Sequence, residues 1–90
     1  MKNSMKCSCC NHKKGLFESF EIVMTDDIEI NLCSKCAVPL YHIRDAYKGN
    51  DIKSAEKYIK AVNKRINKKA DGAFISWYGE QLKKWKPQES

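Results

Sequence analysis

The stretch that decides the fold begins at Cys7-Ser8-Cys9-Cys10 and ends at Cys33-Ser34-Lys35-Cys36. Cys7 and Cys10 form one Cys-x-x-Cys pair, Cys33 and Cys36 a second, and 22 residues lie between the pairs. Two such knuckles can present four thiolates to one tetrahedral Zn²⁺, which fills its shell and leaves no open position for a substrate. The reading is one structural zinc ion held by Cys7, Cys10, Cys33 and Cys36. Cys9 lies between the first two ligands and points elsewhere in a knuckle, so it is taken as the spare of five cysteines. Replacement of a ligand by Cys9 or by His12 stays open, although Cys10-x-His12 is a short spacing for one metal.

Outward from the cysteines, Asn11 follows the first knuckle, where a left-handed residue is commonly needed and Asn serves almost as well as Gly. Residues 16–32 read as a β-hairpin. Phe20, Ile22 and Met24 alternate with Glu21 and Val23, and Ile28, Ile30 and Leu32 alternate with Glu29 and Asn31. Thr25-Asp26-Asp27 is the turn, and the alternation is expected to put both apolar sets on one face. A two-stranded hairpin is not stable alone, so that face must cover something. A short helix follows from Cys36, with Pro39 in its first turn, Leu40, Ile43 and Tyr47 on one stripe, and Gly49 as its stop.

Residues 50–71 carry the clearest helical pattern. Asn50 or Asp51 is the cap, and Ile52, Ala55, Ile59, Val62 and Ile66 form an apolar seam. Lys53, Lys57, Lys60, Lys64 and Lys68 cluster on nearly the opposite side, with Arg65 and Lys69 extending the group round the flank. A last helix over about 73–86 offers Phe74, Tyr78, Leu82 and Trp85 on one face and Trp77 beside it, an aromatic set expected to pack on the seam; Pro87 ends it.

Composition bounds the rest. The chain has 90 residues and a formal charge of +6, from 17 Lys+Arg against 11 Asp+Glu. Four thiolates and Zn²⁺ contribute about −2, so the working charge is nearer +4. The excess is segregated: residues 51–86 hold ten basic and four acidic side chains, residues 1–50 seven and six. A core this small is marginal without a staple, and zinc is expected to supply one. No secretory leader or membrane span is expected, and paired Cys-x-x-Cys motifs as metal ligands fit a reducing, cytoplasmic setting.

Cys-x-x-Cys-Asn, an alternating hairpin, then Leu-Cys-x-x-Cys-Ala running into a helix resembles the small treble-clef and zinc-ribbon knuckles of bacterial and phage proteins. The resemblance covers about a third of the chain. It implies four ligand roles at Cys7, Cys10, Cys33 and Cys36, with Cys9 a departure from the pattern. Such proteins bind DNA, RNA or proteins, and bacterial anti-sigma factors carry a similar pair of knuckles.

The expected class is α+β: a zinc knuckle, hairpin and short helix over 1–49, then a basic helical hairpin over 50–90 packed on it. No phosphate loop, nucleophile elbow or H-E-x-x-H motif occurs, and four sulfurs close the metal shell, so neither an enzyme nor a small-molecule substrate is expected. The expected activity is non-enzymatic and regulatory, with nucleic acid contacted through Lys53, Lys57, Lys60, Lys64, Arg65 and Lys68. The rival expectation is an inhibitor or adaptor that docks the same basic face on an acidic protein surface of a larger machine.

Overall fold

A computed structural model describes residues 5–87. Residues 1–4, part of the stretch read as lacking a leader, lie outside the described range. The element order is β1 (Phe20–Met24), β2 (Glu29–Cys33), α1 (Ser34–Lys48), α2 (Ile52–Arg65) and α3 (Gly72–Trp85). The class is α+β, one antiparallel hairpin and three helices. Among the described residues no helix is long and apolar enough to cross a membrane.

The first knuckle closes on itself before the hairpin begins. Cys7 N–H donates to the His12 carbonyl at 2.8 Å, Asn11 N–H to the Cys7 carbonyl at 2.9 Å, and Lys14 N–H to the Met5 carbonyl at 2.8 Å. Asn11 sits at φ 64°, the left-handed position expected for it.

The hairpin forms where expected but faces differently. Its register pairs Glu21 with Leu32 and Val23 with Ile30. Ile30 and Leu32 are buried, and the side chains opposite them on the same face are Val23 and Glu21. Ile22 and Met24 therefore point outward, 50% and 72% exposed. The turn imposes this. Thr25 N–H bonds the Ile28 carbonyl at 2.9 Å, Met24 then pairs with Glu29, and a period of two assigns every later residue its side. Glu21 escapes burial by accepting a hydrogen bond from the Tyr41 hydroxyl at 2.6 Å.

α1 starts at Ser34 with Cys33 as its N-cap, two residues earlier than the pattern from Cys36 implied. Pro39 consequently lies in the second turn, where it forfeits the bond its N–H would make to the Lys35 carbonyl. At the other end the left-handed residue is Asn50 (φ 62°), not Gly49 (φ −88°). Asn50 N–H donates to the Tyr47 carbonyl and Asp51 N–H to the Ala46 carbonyl, a Schellman closure one residue beyond the glycine.

Asp51 caps α2. Its carboxylate accepts from Ser54 N–H at 3.2 Å and Ser54 Oγ at 2.8 Å, and these bonds hold its carboxyl below the ordinary value. α2 ends at Arg65 rather than near Asp71. Ala55 and Val62 of the seam are buried and Ile59 and Ile66 half-buried, while Ile52 is exposed. Asp71 caps α3, accepting from Ala73 N–H at 3.1 Å.

α2 packs along α1, whereas α3 packs on α1 and β2. The expected helical hairpin is thus corrected: α2 and α3 do not run side by side, because the loop between them leaves α2 for the first knuckle. They touch through the Tyr78 hydroxyl, which donates to Asn63 Oδ1 at 3.1 Å. Ile30, Ile43, Val62 and Phe74 are fully buried in one core that also takes in Cys7, Cys9, Cys33 and Cys36. Each of these large side chains contributes roughly 1.5–3 kcal/mol by leaving water. Phe74 and Tyr78 stack at 5.6 Å within that core, while Trp77 and Trp85 meet edge to face at its margin, half-buried.

Candidate metal centre and basic face

The two knuckles meet because β2 carries the second one back to the first. Ser8 N–H donates to the Asn31 carbonyl at 2.6 Å, and Asn31 N–H donates to Ser8 Oγ at 3.1 Å. These bonds use the edge of β2 that β1 leaves free. Cys33 then ends the strand and caps the helix, so the positive end of the α1 dipole lies at the sulfurs.

The Sγ atoms of Cys7, Cys10, Cys33 and Cys36 all lie within 4.8 Å of one another. Cys10 Sγ and Cys33 Sγ are 3.7 Å apart. A tetrahedral shell with metal–sulfur bonds of about 2.3 Å has sulfur–sulfur edges of about 3.8 Å. The four cysteines therefore form a compact group that could hold a metal ion. Three of them are buried and Cys10 is half-buried. Cys9 is fully buried and not one of the four, yet it lies close enough to Cys36 to influence that thiol. His12 is also outside it: its Nε2 pairs with Glu18 at 2.9 Å. Bonds from the Gly15 N–H and then from His12 hold the Glu18 carboxyl below its ordinary value.

Four sulfurs this close share protons unequally. A side-chain hydrogen bond with Cys36 holds the Cys7 thiol well below its ordinary value, helped by the backbone N–H groups of Cys10, Cys33 and Cys9. Cys36 is pushed above the ordinary thiol value, first by its bonds to Cys7 and Cys9. A divalent cation held by the four sulfurs would displace the shared protons.

Arg65 stands apart from the lysines with which the sequence groups it: its Nε donates to Cys36 Sγ at 3.2 Å, and its Nη2 lies 3.9 Å from Cys10 Sγ. The bond to Cys36 raises the guanidinium above its ordinary value. Beyond it, Asn67 N–H donates to the Cys9 carbonyl and Asp71 N–H to the Ser8 carbonyl, each at 2.9 Å. A cleft of about 190 Å³ lined by His12, Glu18, Ser34, Lys35 and Arg65 opens onto Cys33.

Lys53, Lys57, Lys60 and Lys64 lie on one side of α2 and are exposed. Among the described residues none of the four forms an ion pair. At about 1.5 Å per residue the row is about 16 Å long. Lys68 is exposed but lies in the loop after α2, off the helical row. Lys57 Nζ lies 5.7 Å from the centre of the Tyr58 ring, and Tyr58 stacks at 4.6 Å on His42 of α1, which takes no part in the sulfur group.

No family model, no curated protein and no solved structure matches the chain.

Proposed function

We propose that the chain is a non-enzymatic regulatory binding module in which one structural Zn²⁺, held by Cys7, Cys10, Cys33 and Cys36, supports a nucleic-acid-binding face on α2. Zinc is favoured by the all-sulfur tetrahedral donor set. A closed four-sulfur shell offers no position for a substrate, so the metal's role is structural. The treble-clef or zinc-ribbon kinship, a bacterial or phage origin and a cytoplasmic setting belong to this reading and rest on the cysteine pattern.

The observation that carries the nucleic-acid reading is the row Lys53, Lys57, Lys60 and Lys64, exposed and unpaired on one helix side. Such a row can track the phosphates of one backbone, releasing counterions as it does so. Fluorescence anisotropy of the zinc-loaded protein tests it, with duplex DNA, single-stranded DNA and RNA at low and near-physiological salt. The expected result is salt-sensitive binding.

A protein-interaction role is the second reading, with the same lysines docking on an acidic surface of a larger machine. Exposed apolar side chains at Leu16, Phe17, Ile22 and Met24 favour it, since protein partners cover apolar surface. Absence of nucleic-acid binding even at low salt would select this reading.

A further inference from the structure

We infer that Arg65 is a positioning residue of the metal centre, through which metal occupancy and the placement of the lysine-bearing helix stabilise each other. The inference rests on the metal half of the proposed function and is independent of nucleic acid.

The guanidinium bridges the two knuckles, touching Cys36 from one and Cys10 from the other. A zinc ion with four thiolates carries a net charge of about −2 in a partly buried place, and Arg65 offsets part of it with directed N–H donors. Among the described residues it is the one side-chain cation hydrogen-bonded to a sulfur. Its position adds the coupling. Arg65 is the last residue of α2, and the loop it opens is bonded at Asn67 and Asp71 to the carbonyls of Cys9 and Ser8. Those two residues are the x positions of the first Cys-x-x-Cys. The end of the basic helix is thus fastened to both the sulfurs and the backbone of the knuckle that carries them. Metal that sharpens the sulfur geometry holds α2 more firmly, and by reciprocity a well-held α2 raises metal affinity by the same factor.

The test is zinc competition against a chromogenic chelator for the full chain and three variants. Removing a partner that orients metal ligands typically costs 10–100-fold in affinity. Arg65→Gln is expected to show a loss of about that size. Arg65→Lys should recover part of it, restoring charge without the two-pronged donor. Lys64→Gln, exposed on the row, should match the unmodified chain. Amide exchange at Asn67 and Asp71 should be faster in zinc-loaded Arg65→Gln than in the loaded unmodified chain. If Arg65→Gln binds zinc as tightly as Lys64→Gln, the inference fails while the zinc reading stands. If the unmodified chain binds no zinc, both fail. Should Arg65→Gln not fold, the unmodified chain loaded with ¹¹³Cd answers the question. A scalar coupling between the metal and the Arg65 Nε proton, carried through Cys36, is expected, and a freely exchanging Nε proton overturns the inference.

Discussion

The salt dependence that the proposed nucleic-acid face should show follows from α2. Lys53, Lys57, Lys60 and Lys64 offer four unpaired charges on one side of the helix, whereas Arg65 is directed at sulfur. If each lysine neutralises one phosphate, log K falls against log salt with a slope of about −3.6 on duplex DNA and about −2.8 on a single strand. Raising salt from about 50 to about 200 mM then weakens duplex binding about 150-fold and single-strand binding about 50-fold. Lys57→Gln with Lys60→Gln removes half the contacts, giving a duplex slope of about −1.8 and a loss of only about 12-fold over the same interval. At saturating zinc, Arg65→Gln should leave the slope unchanged, while Lys64→Gln should lower it by about 0.9. The assay is an anisotropy titration at several salt concentrations, with circular dichroism verifying that each variant keeps its helices. A slope near zero, or one that ignores the double substitution, refutes the lysine face. A slope reduced as much by Arg65→Gln as by Lys64→Gln would mean that Arg65 leaves the sulfurs to bind phosphate.

Four further substitutions address the centre and the core. Cys10→Ser should lose stoichiometric zinc as measured by elemental analysis, whereas Cys9→Ser should retain it and melt earlier, since a hydroxyl replacing a fully buried thiol costs about 1–3 kcal/mol. Phe74→Ala, at a fully buried position between α3 and the rest of the core, should cost about 3–5 kcal/mol in urea unfolding. Tyr78 is pushed up to about 12, chiefly by burial. A raised value favours the neutral, folded form, so its contribution is complete below the ordinary value of about 10 and is lost as pH rises through about 12. Tyr78→Phe should cost about 0.5–1.5 kcal/mol at neutral pH through the lost bond to Asn63, and should flatten the alkaline fall in melting temperature over that window.

The elements were legible where one local pattern decides them, and less so where two compete. Paired cysteines, a hairpin-length insert and two amphipathic periods locate the strands and helices, although α2 ends six residues before the expected 71. The inward face of β1 was not legible, because Phe20, Ile22 and Met24 make the more apolar set. The turn at Thr25–Ile28 and the burial of Ile30 and Leu32 outweigh that preference and turn Val23 inward, with Glu21 on the same strand face but exposed. A similar contest ends α1. Glycine is the better left-handed residue, yet the bonds from Asn50 and Asp51 to Tyr47 and Ala46 place the reversal at Asn50. The lysine period continues through Lys68, but α2 stops at Arg65, since the following loop bonds to Ser8 and Cys9. Those partners lie more than fifty residues away in sequence, and periodicity carries no information about them.

The same distance explains why the sequence brings the four sulfurs together but does not place Arg65 beside them. Cysteine spacing is a local statement about one metal, whereas the contacts of Arg65 span 29 and 55 residues. One local signal was available. At about 100° per residue Arg65 stands about 120° round the helix from Lys53, on the flank with Tyr58 rather than on the lysine row. A cation off the row at a helix end faces either solvent or a neighbouring charge, and here the neighbour is a sulfur group with about two negative charges to offset once metal is bound. Counting Arg65 with the lysines adds to the row a charge that the structure directs at Cys36 and Cys10. The sulfur group and the row are therefore one arrangement: the knuckle contacts set where α2 ends, and where α2 ends sets which lysines share the row.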